Sequence, residues 1–447
     1  MESQSKVSIV AAWLLVAGAA QCHLNRAQTQ DAVAADSASN SLTLDELRVA
    51  RLQARFRQRR LIINNDGNDK TSPPYTPERF LASRTTGLEK TQVDSLFYCT
   101  GIPMLYTHRS KIAEQMGVGN HTDVPNKTWV AAFNALNTDS LEIMVDWCKR
   151  HDREVFWSMR INDRHDSGTR WSYLITDWKR NHPELLMGTQ EGGLPESFKR
   201  GARSWSLLRY DMPEVREKVF QIIEEICNNY DVDGIELDFW RHPACFVEPL
   251  MDKSVPQHKM DELTELWQRV RHMTEQVGMK RGRPILIAIR IPDSMDYCRA
   301  MGLDVPRWLG EDLVDLVVAA DYFKLEPWEN LVATGKKYNV PVYGCFEIRR
   351  LESTGKETEK KRADIRVWRG EAYNAWKAGL DGIYLMNRFD PHAPMLHELG
   401  DPEILASKER IDQTAYFNPK VWCKPTTWVP DGMKYLKQPK QKSVTQP

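Results

Sequence analysis

Beyond its first 20 residues the chain contains no apolar run of the about 20 residues needed to cross a bilayer, so stable membrane insertion is not expected. It has no excess of charge of either sign, with 61 Lys and Arg against 61 Asp and Glu. A basic field able to collect nucleic acid is therefore missing. The RFRQRR run at 55–60 is the one candidate membrane-surface patch. Cysteines number 8 in 447 residues and none has metal-finger spacing. The seven beyond Cys22 are scattered, which predicts buried free thiols rather than a disulfide framework. No glycine-rich dinucleotide fingerprint follows the first predicted strand, and no cofactor is expected.

What the chain does contain is a repeat of strand and helix. Apolar, β-branched runs occur at 61–66, 96–101, 155–163, 232–241, 285–293, 313–323, 340–349 and 382–390. Helical patterns lie between them at 77–92, 139–151, 213–230, 257–278, 296–310, 327–338 and 363–379. Within 213–230 Val215, Val219, Ile222, Ile223 and Ile226 make one apolar stripe, with Asp211 placed to cap the start. Eight such units predict an α/β protein, a single (β/α)8 TIM barrel over 59–400, and exclude sandwiches and bundles.

The remaining residues lie at the start, in the connection 164–212 and in the tail. Lys6, the apolar run Val7–Ala20 and the small residues Ala17, Gly18, Ala19 and Ala20 predict a signal peptide over 1–21 and an exported, soluble protein. Gln21 precedes Cys22 where a lipoprotein has a small residue, so lipid anchoring is disfavoured. Residues 22–58 read as a polar spacer and an Arg-rich helix, and 401–447 as a C-terminal extension. The connection after the third strand carries Trp171, Tyr173, Trp178, Trp205 and Tyr210, either a sugar-stacking wall or a loop held down by its own aromatics.

Barrel enzymes place chemistry at the C-terminal ends of their strands. Those ends carry Arg160, Asn162 and Asp163; Glu236, Asp238 and Arg241; Arg290 and Asp293; Asp321 and Tyr322; Glu347 and Arg349; and Asn387, Arg388 and Asp390. The fourth run reads Y-D-V-D-G-I-E-L-D-F-W-R from Tyr230, and alternation puts Glu236, Asp238 and Trp240 on one face. An acid facing a barrel interior must be paired, hydrated or used in chemistry. Paired carboxylates are what glycosidic cleavage needs: one protonates the leaving oxygen, the other attacks carbon or activates water. Asp238 is the expected nucleophile or base, with Arg160 or Arg290 as its partner. Asp321 is favoured over Glu347 as the acid, because Tyr322 offers a further donor. Glu236 lies deeper and takes an orienting role. Trp240 faces the cleft in this reading, while Asn162, Arg349, Asn387 and Arg388 complete the set expected to hold substrate.

The segments N-H-P-E-L-L from Asn181, M-P-E-V-R-E from Met212 and Y-D-V-D-G-I-E-L-D-F from Tyr230 resemble the glycosyl-hydrolase-like 10 family over roughly residues 60–390. The resemblance implies an exported barrel acting on polysaccharide, with Asp238 at its centre. The family usually carries a second acid directly after that aspartate, where this chain has Phe239, so no role transfers to that position. A weaker similarity to chitinase-like barrels, D-G-x-D-x-D-x-E, places Trp240 where the catalytic glutamate belongs. Tryptophan cannot deliver a proton, and that mechanism is rejected.

Two other classes fit less well. A metal-dependent hydrolase would draw on Glu236, Asp238, His242, Asp321 and Glu347, but five neighbouring arginines oppose a divalent cation, and no metal is expected. A non-catalytic carbohydrate-binding barrel would keep the aromatics and lose an acid. The lone histidines His108, His165 and His392 receive no role. Strand parity points Arg160, Arg290, Arg349 and Arg388 at the mouth; if one or two lack carboxylate partners, the substrate is an anionic glycan.

Overall fold

Eight runs of β-branched and aromatic residues pair side by side in parallel and close on themselves in the computed structural model, which describes residues 41–192, 204–351, 364–386, 388–412, 414–420 and 423–437. The strands are β1 Leu61–Asn65, β2 Val93–Tyr98, β3 Glu154–Arg160, β4 Gly234–Asp238, β5 Leu286–Ile291, β6 Leu316–Ala319, β7 Val342–Glu347 and β8 Gly382–Met386. β8 returns to pair with β1, so no edge is left. The expected (β/α)8 barrel is the architecture observed. The expected signal segment, Cys22, the polar spacer, Asn387 and the last ten residues lie outside the described residues.

Alternation sorts each strand into a face toward the helices and a face toward the barrel axis. The axis is filled in layers. Ile62, Phe97, Phe156, Leu286, Leu316 and Tyr343 form its apolar part, with Phe97 and Phe156 stacked at 4.3 Å. Gly234 makes room for this, because a Cβ there would lie 2.2 Å from the Phe156 ring. Above comes a polar layer of Ser158, Glu236, Asn64 and Tyr384, then Arg160, Asp238 and Arg290 in register across β3, β4 and β5.

Helix α1, Leu44–Arg55, starts at a capping box between Thr43 and Glu46. The basic run that follows is not a membrane patch. Arg55 and Arg271 both bind Asp315, at 2.9 and 2.6 Å, and Arg59 binds Glu154 at 2.6 Å, all buried. Helix Pro213–Asn229 buries the predicted stripe, but Met212 is its N-cap. Asp211 instead binds Arg209 at 2.9 Å and Lys259 at 3.0 Å. The predicted helix 296–310 is two, Met295–Ala300 and Val305–Gly310. The seven cysteines from Cys99 to Cys423 are free and buried. No helix among the described residues is long and apolar enough to cross a membrane.

Two long connections build the mouth. One is the expected segment after β3. The other, 99–139 after β2, carries a small sheet of Gly101–Ile102, Leu105–Tyr106 and Glu114–Gln115, which no sequence pattern announced.

Candidate functional site at the barrel mouth

Asp238 ends β4 and is almost fully buried. Its Oδ1 accepts the backbone N–H groups of Trp240, at 2.9 Å, and Arg241, at 3.1 Å. Its Oδ2 accepts from Arg290 Nη2 at 2.7 Å. The other terminal nitrogen of Arg290, Nη1, donates to Asp321 Oδ2. One buried guanidinium therefore holds both of the carboxylates that the sequence paired.

Asp321 reaches this place through a break in its strand. β6 stops at Ala319, and Ala320 adopts φ 68°, a left-handed conformation rare for alanine. Burial pushes the Asp321 carboxyl up to about 7; Glu347 and Asp238 add to the effect and Arg290 opposes it. Glu236, one residue pair deeper, accepts from Ser158 Oγ and from Tyr384 Oη at 3.0 Å. Burial raises it likewise to about 7, against Arg290 and with Asp238. Three acids thus share one arginine, and a charge-neutral cluster needs protons on some of them.

Glu347 has a different task. Its Oε2 accepts the backbone N–H groups of Arg349 at 2.6 Å and Arg350 at 3.3 Å, holding the turn that starts helix Ile348–Leu351. It bears on Asp321 as a nearby negative charge.

Several expected substrate contacts are engaged elsewhere. Asn162 donates to the carbonyls of Leu208 and Ala244 at 2.9 and 2.8 Å, and accepts from Leu208 N at 3.0 Å, bracing loops. Trp240 does not face the cleft; it is fully buried with its ring edge-to-face on Phe323 at 4.5 Å. Tyr322 is buried, and its hydroxyl accepts from Arg241. Arg349 lies on a helix turn rather than a strand, 3.9 Å from Glu347 and half exposed. Arg388 packs over the Trp368 ring at 5.2 Å. Arg160 binds Asp163 at 3.0 Å.

The C-terminal extension covers the β5–β7 side of the mouth. Tyr416 O accepts from Lys324 N at 2.7 Å, Pro425 O from Tyr297 Oη at 2.9 Å, and Leu325 O from Lys437 N at 2.9 Å. An open cleft of about 230 Å³ lies on the β1–β4 side, among Asp66, Lys127, Arg160, Arg241, Trp171 and Tyr173. Of the five loop aromatics, Trp171 and Tyr173 line it. Trp205 and Tyr210 are buried and bond to the carbonyls of Ser167 and Ile161. Trp178 lies in a separate groove beside His182. Asp66, at the end of β1, and Lys127, from the β2 connection, were not singled out in the sequence.

His165 also lines the cleft. Its Nδ1 lies 2.6 Å from Asp163 Oδ1, and His242 Nδ1 lies 3.6 Å from Asp163 Oδ2. Burial depresses His242 to about 3, so it is neutral. Asp163, His165 and His242 bring ligand atoms within 4.8 Å of one another, a donor set suited to a divalent transition ion. Arg160 already holds Asp163 Oδ2, and the His165 contact has hydrogen-bond length, so the three fit a hydrogen-bonded relay better than a metal cage. Of the acids that a metal-dependent reading required, Asp238 and Asp321 bind Arg290 and Glu236 lies within its field.

No protein-family model matches the chain, and no curated protein matches it. Among solved structures the chain is similar to the PgaB (BpsB) glycoside hydrolase domain from Bordetella bronchiseptica, at 11% identity over 77% of this chain and 98% of that one, with a TM-score of 0.50. It is also similar to α-L-fucosidase isoenzyme 2 from Paenibacillus thiaminolyticus, at 11% identity over 78% of this chain and 49% of that one, TM-score 0.46. The chitinase ChiW of a Paenibacillus species matches at 11% identity over 78% of this chain and 33% of that one, TM-score 0.44. The chain thus spans about half of the fucosidase and a third of ChiW. These neighbours are glycoside hydrolases, and what the likeness to the PgaB domain establishes for this chain is a shared fold.

Proposed function

We propose that the protein is a glycoside hydrolase acting on a polysaccharide or oligosaccharide, with Asp321 as the acid and Asp238 as the nucleophile or base. The observation that carries this reading is the Asp238–Arg290–Asp321 bridge. It places two carboxylates on the two ends of one guanidinium, and burial raises Asp321 to about 7, so that it keeps its proton below neutral pH. An acid kept protonated at working pH can donate to a leaving oxygen, while its neighbour attacks the anomeric carbon or activates water. The cleft floor adjoins the pair through Arg160, the register neighbour of Asp238, and Arg241, whose backbone N–H Asp238 accepts. The leader-like segment Val7–Ala20 supports export, which N-terminal sequencing of the native protein would check. The glycosyl-hydrolase-like 10 resemblance supports the same activity class.

The burial of Asp238 and Asp321 favours a second reading, a barrel that binds carbohydrate without cleaving it. Purified protein offered a panel of polysaccharides separates the two. Release of reducing ends that Asp238→Asn abolishes supports hydrolysis; tight binding with no cleavage of any substrate supports the binding barrel.

A further inference from the structure

Of the four arginines that strand parity assigned to an anionic substrate, Arg290 binds Asp238 and Asp321, Arg160 binds Asp163, Arg349 lies 3.9 Å from Glu347 and Arg388 packs over Trp368. A further cation, Arg241, lies in the turn after β4. It is 9% exposed and lines the cleft. Its guanidinium donates to the neutral Tyr322 hydroxyl and passes 5.9 Å from that ring. Among the described residues no carboxylate comes within ion-pair distance of it, and its Nε has no hydrogen-bond partner. The Asp66 carboxylate acts on it electrostatically but is shared with Arg160 and Arg84, so this buried guanidinium is left short of counter-charge unless a ligand supplies more.

A second cation stands in the same wall. Lys127 is 5% exposed, and its Nζ donates to the carbonyl oxygens of Gly67, at 3.0 Å, and Asp69, at 3.4 Å, not to a carboxylate. Burial lowers its pKa to about 8, with the charges of Asp69 and Asp66 opposing. The one acid on the cleft wall, Asp66, is held by Arg84 at 3.0 Å. Pairing Asp66 with Arg84 and Asp163 with Arg160, and setting the buried Asp69 against Lys127, leaves Arg241 in surplus. Trp171 and Tyr173 supply apolar faces, and about 230 Å³ accommodates a sugar ring rather than a long chain.

We infer that this cleft is a subsite for an anionic sugar unit, a uronate or a sulfated residue, whose carboxylate or sulfate pairs with the Arg241 guanidinium while its ring lies against Trp171 or Tyr173. The inference rests on the carbohydrate reading above and narrows it to acidic glycans. Guanidinium forks bind carboxylate and sulfate in the same bidentate way, so the two sources share one chemistry.

The test is calorimetric titration of the full chain with methyl glucuronide, inorganic sulfate and methyl glucoside. Glucuronide and sulfate should compete for one saturable site, with glucoside at least tenfold weaker. Arg241→Met should weaken both anions at least tenfold, and Arg241→Lys, which keeps the charge but not the fork, by less. If Arg241→Met does not fold, Arg241→Lys and Lys127→Met decide, each expected to weaken both anions without affecting glucoside. Equal affinity for glucoside and glucuronide, absence of anion binding, or anion binding untouched by these variants overturns the inference. Cleavage confined to neutral glycans also overturns it while leaving hydrolysis standing. Anion binding at Arg241 with no cleavage of any glycan removes the hydrolase reading and keeps the subsite.

Discussion

Arg290 binds Asp238 across adjacent strands at 2.7 Å, with the arginine fully buried and the carboxylate almost so. A carboxylate in this setting is fixed in position before substrate arrives, which is what a nucleophile or base requires. The same arginine reaches Asp321, so a change at any of the three is felt by the others.

Asp238→Asn should lower turnover by at least the roughly 10² to 10⁴ that general acid or base action supplies. It should also cost some stability. The amide oxygen can keep the N–H groups of Trp240 and Arg241, but its NH2 then meets the Arg290 donor, at about 1 to 3 kcal/mol for the unmet buried group. Steady-state kinetics and urea melts measured side by side check both. Near-normal turnover on the true substrate removes Asp238 from the chemistry.

Asp321 and Glu347 should separate in their kinetics. If Asp321 is the acid, activity falls as pH rises through about 7, where it loses its proton. Asp321→Asn should abolish that limb and be rescued on an aryl glycoside whose leaving group needs no protonation. Glu347→Gln keeps an acceptor for Arg349 N and should retain the limb, shifted downward because a negative charge beside Asp321 is gone. Rescue in Glu347→Gln alone reverses the assignment.

The barrel was legible because eight buried parallel strands need near-continuous apolar runs, and helices with one apolar stripe separate them. Glu236 and Asp238 were legible for the same reason: alternation on β4 leaves acids facing inward no neutral explanation. Asp321 was chosen by strand position, yet it lies beyond the strand, turned inward by the left-handed Ala320. Parity failed wherever a strand ended early, as at Arg349, where a helix begins directly after Glu347. Asn162 and Trp240 were read as cleft residues because nothing in a loop sequence tells which carbonyls or rings will fold back upon them. Lys127 sits in an aperiodic connection, and only the closed mouth shows that it shares a wall with Arg241.

Stability should depend on the shared cluster in a definite sense. Asp321 and Glu236 have their pKa values raised from the ordinary carboxyl range to about 7, so the folded state holds protons that the unfolded chain releases. Their contribution is fully present below about pH 4 and is lost as pH rises through about 7. His242, depressed to about 3, acts oppositely: its contribution is present above the ordinary imidazole value near 6.5 and is lost as pH falls toward 3. The raised carboxylates dominate between the ordinary imidazole value near 6.5, where the His242 effect ends, and about 7, below the value near 8 to which Lys127 is lowered. Melting temperature should drop across this interval in the wild type and drop less in Asp321→Asn, whose amide mimics the protonated acid. Equal slopes in the two proteins refute a raised Asp321.

The opposite end of the barrel offers a check independent of catalysis. Asp315 is fully buried at the foot of β6, where Arg55 and Arg271 hold its two oxygens at 2.9 and 2.6 Å and Ile287 N donates at 2.8 Å. Removing the carboxylate leaves the buried Arg271 without a carboxylate and Arg55 with Asp312 alone, which costs about 3 to 5 kcal/mol for a broken buried pair. Asp315→Ala should therefore shift the denaturant midpoint strongly. Arg55→Ala should cost less, because Arg271 and Ile287 N still hold Asp315. The double variant should fall short of the sum, since both changes act on one network. A strictly additive pair would show that α1 and the barrel foot are not coupled through Asp315, leaving the Arg48 and Arg51 ion pairs to Glu275 and Asp312 and the apolar contacts to hold the helix.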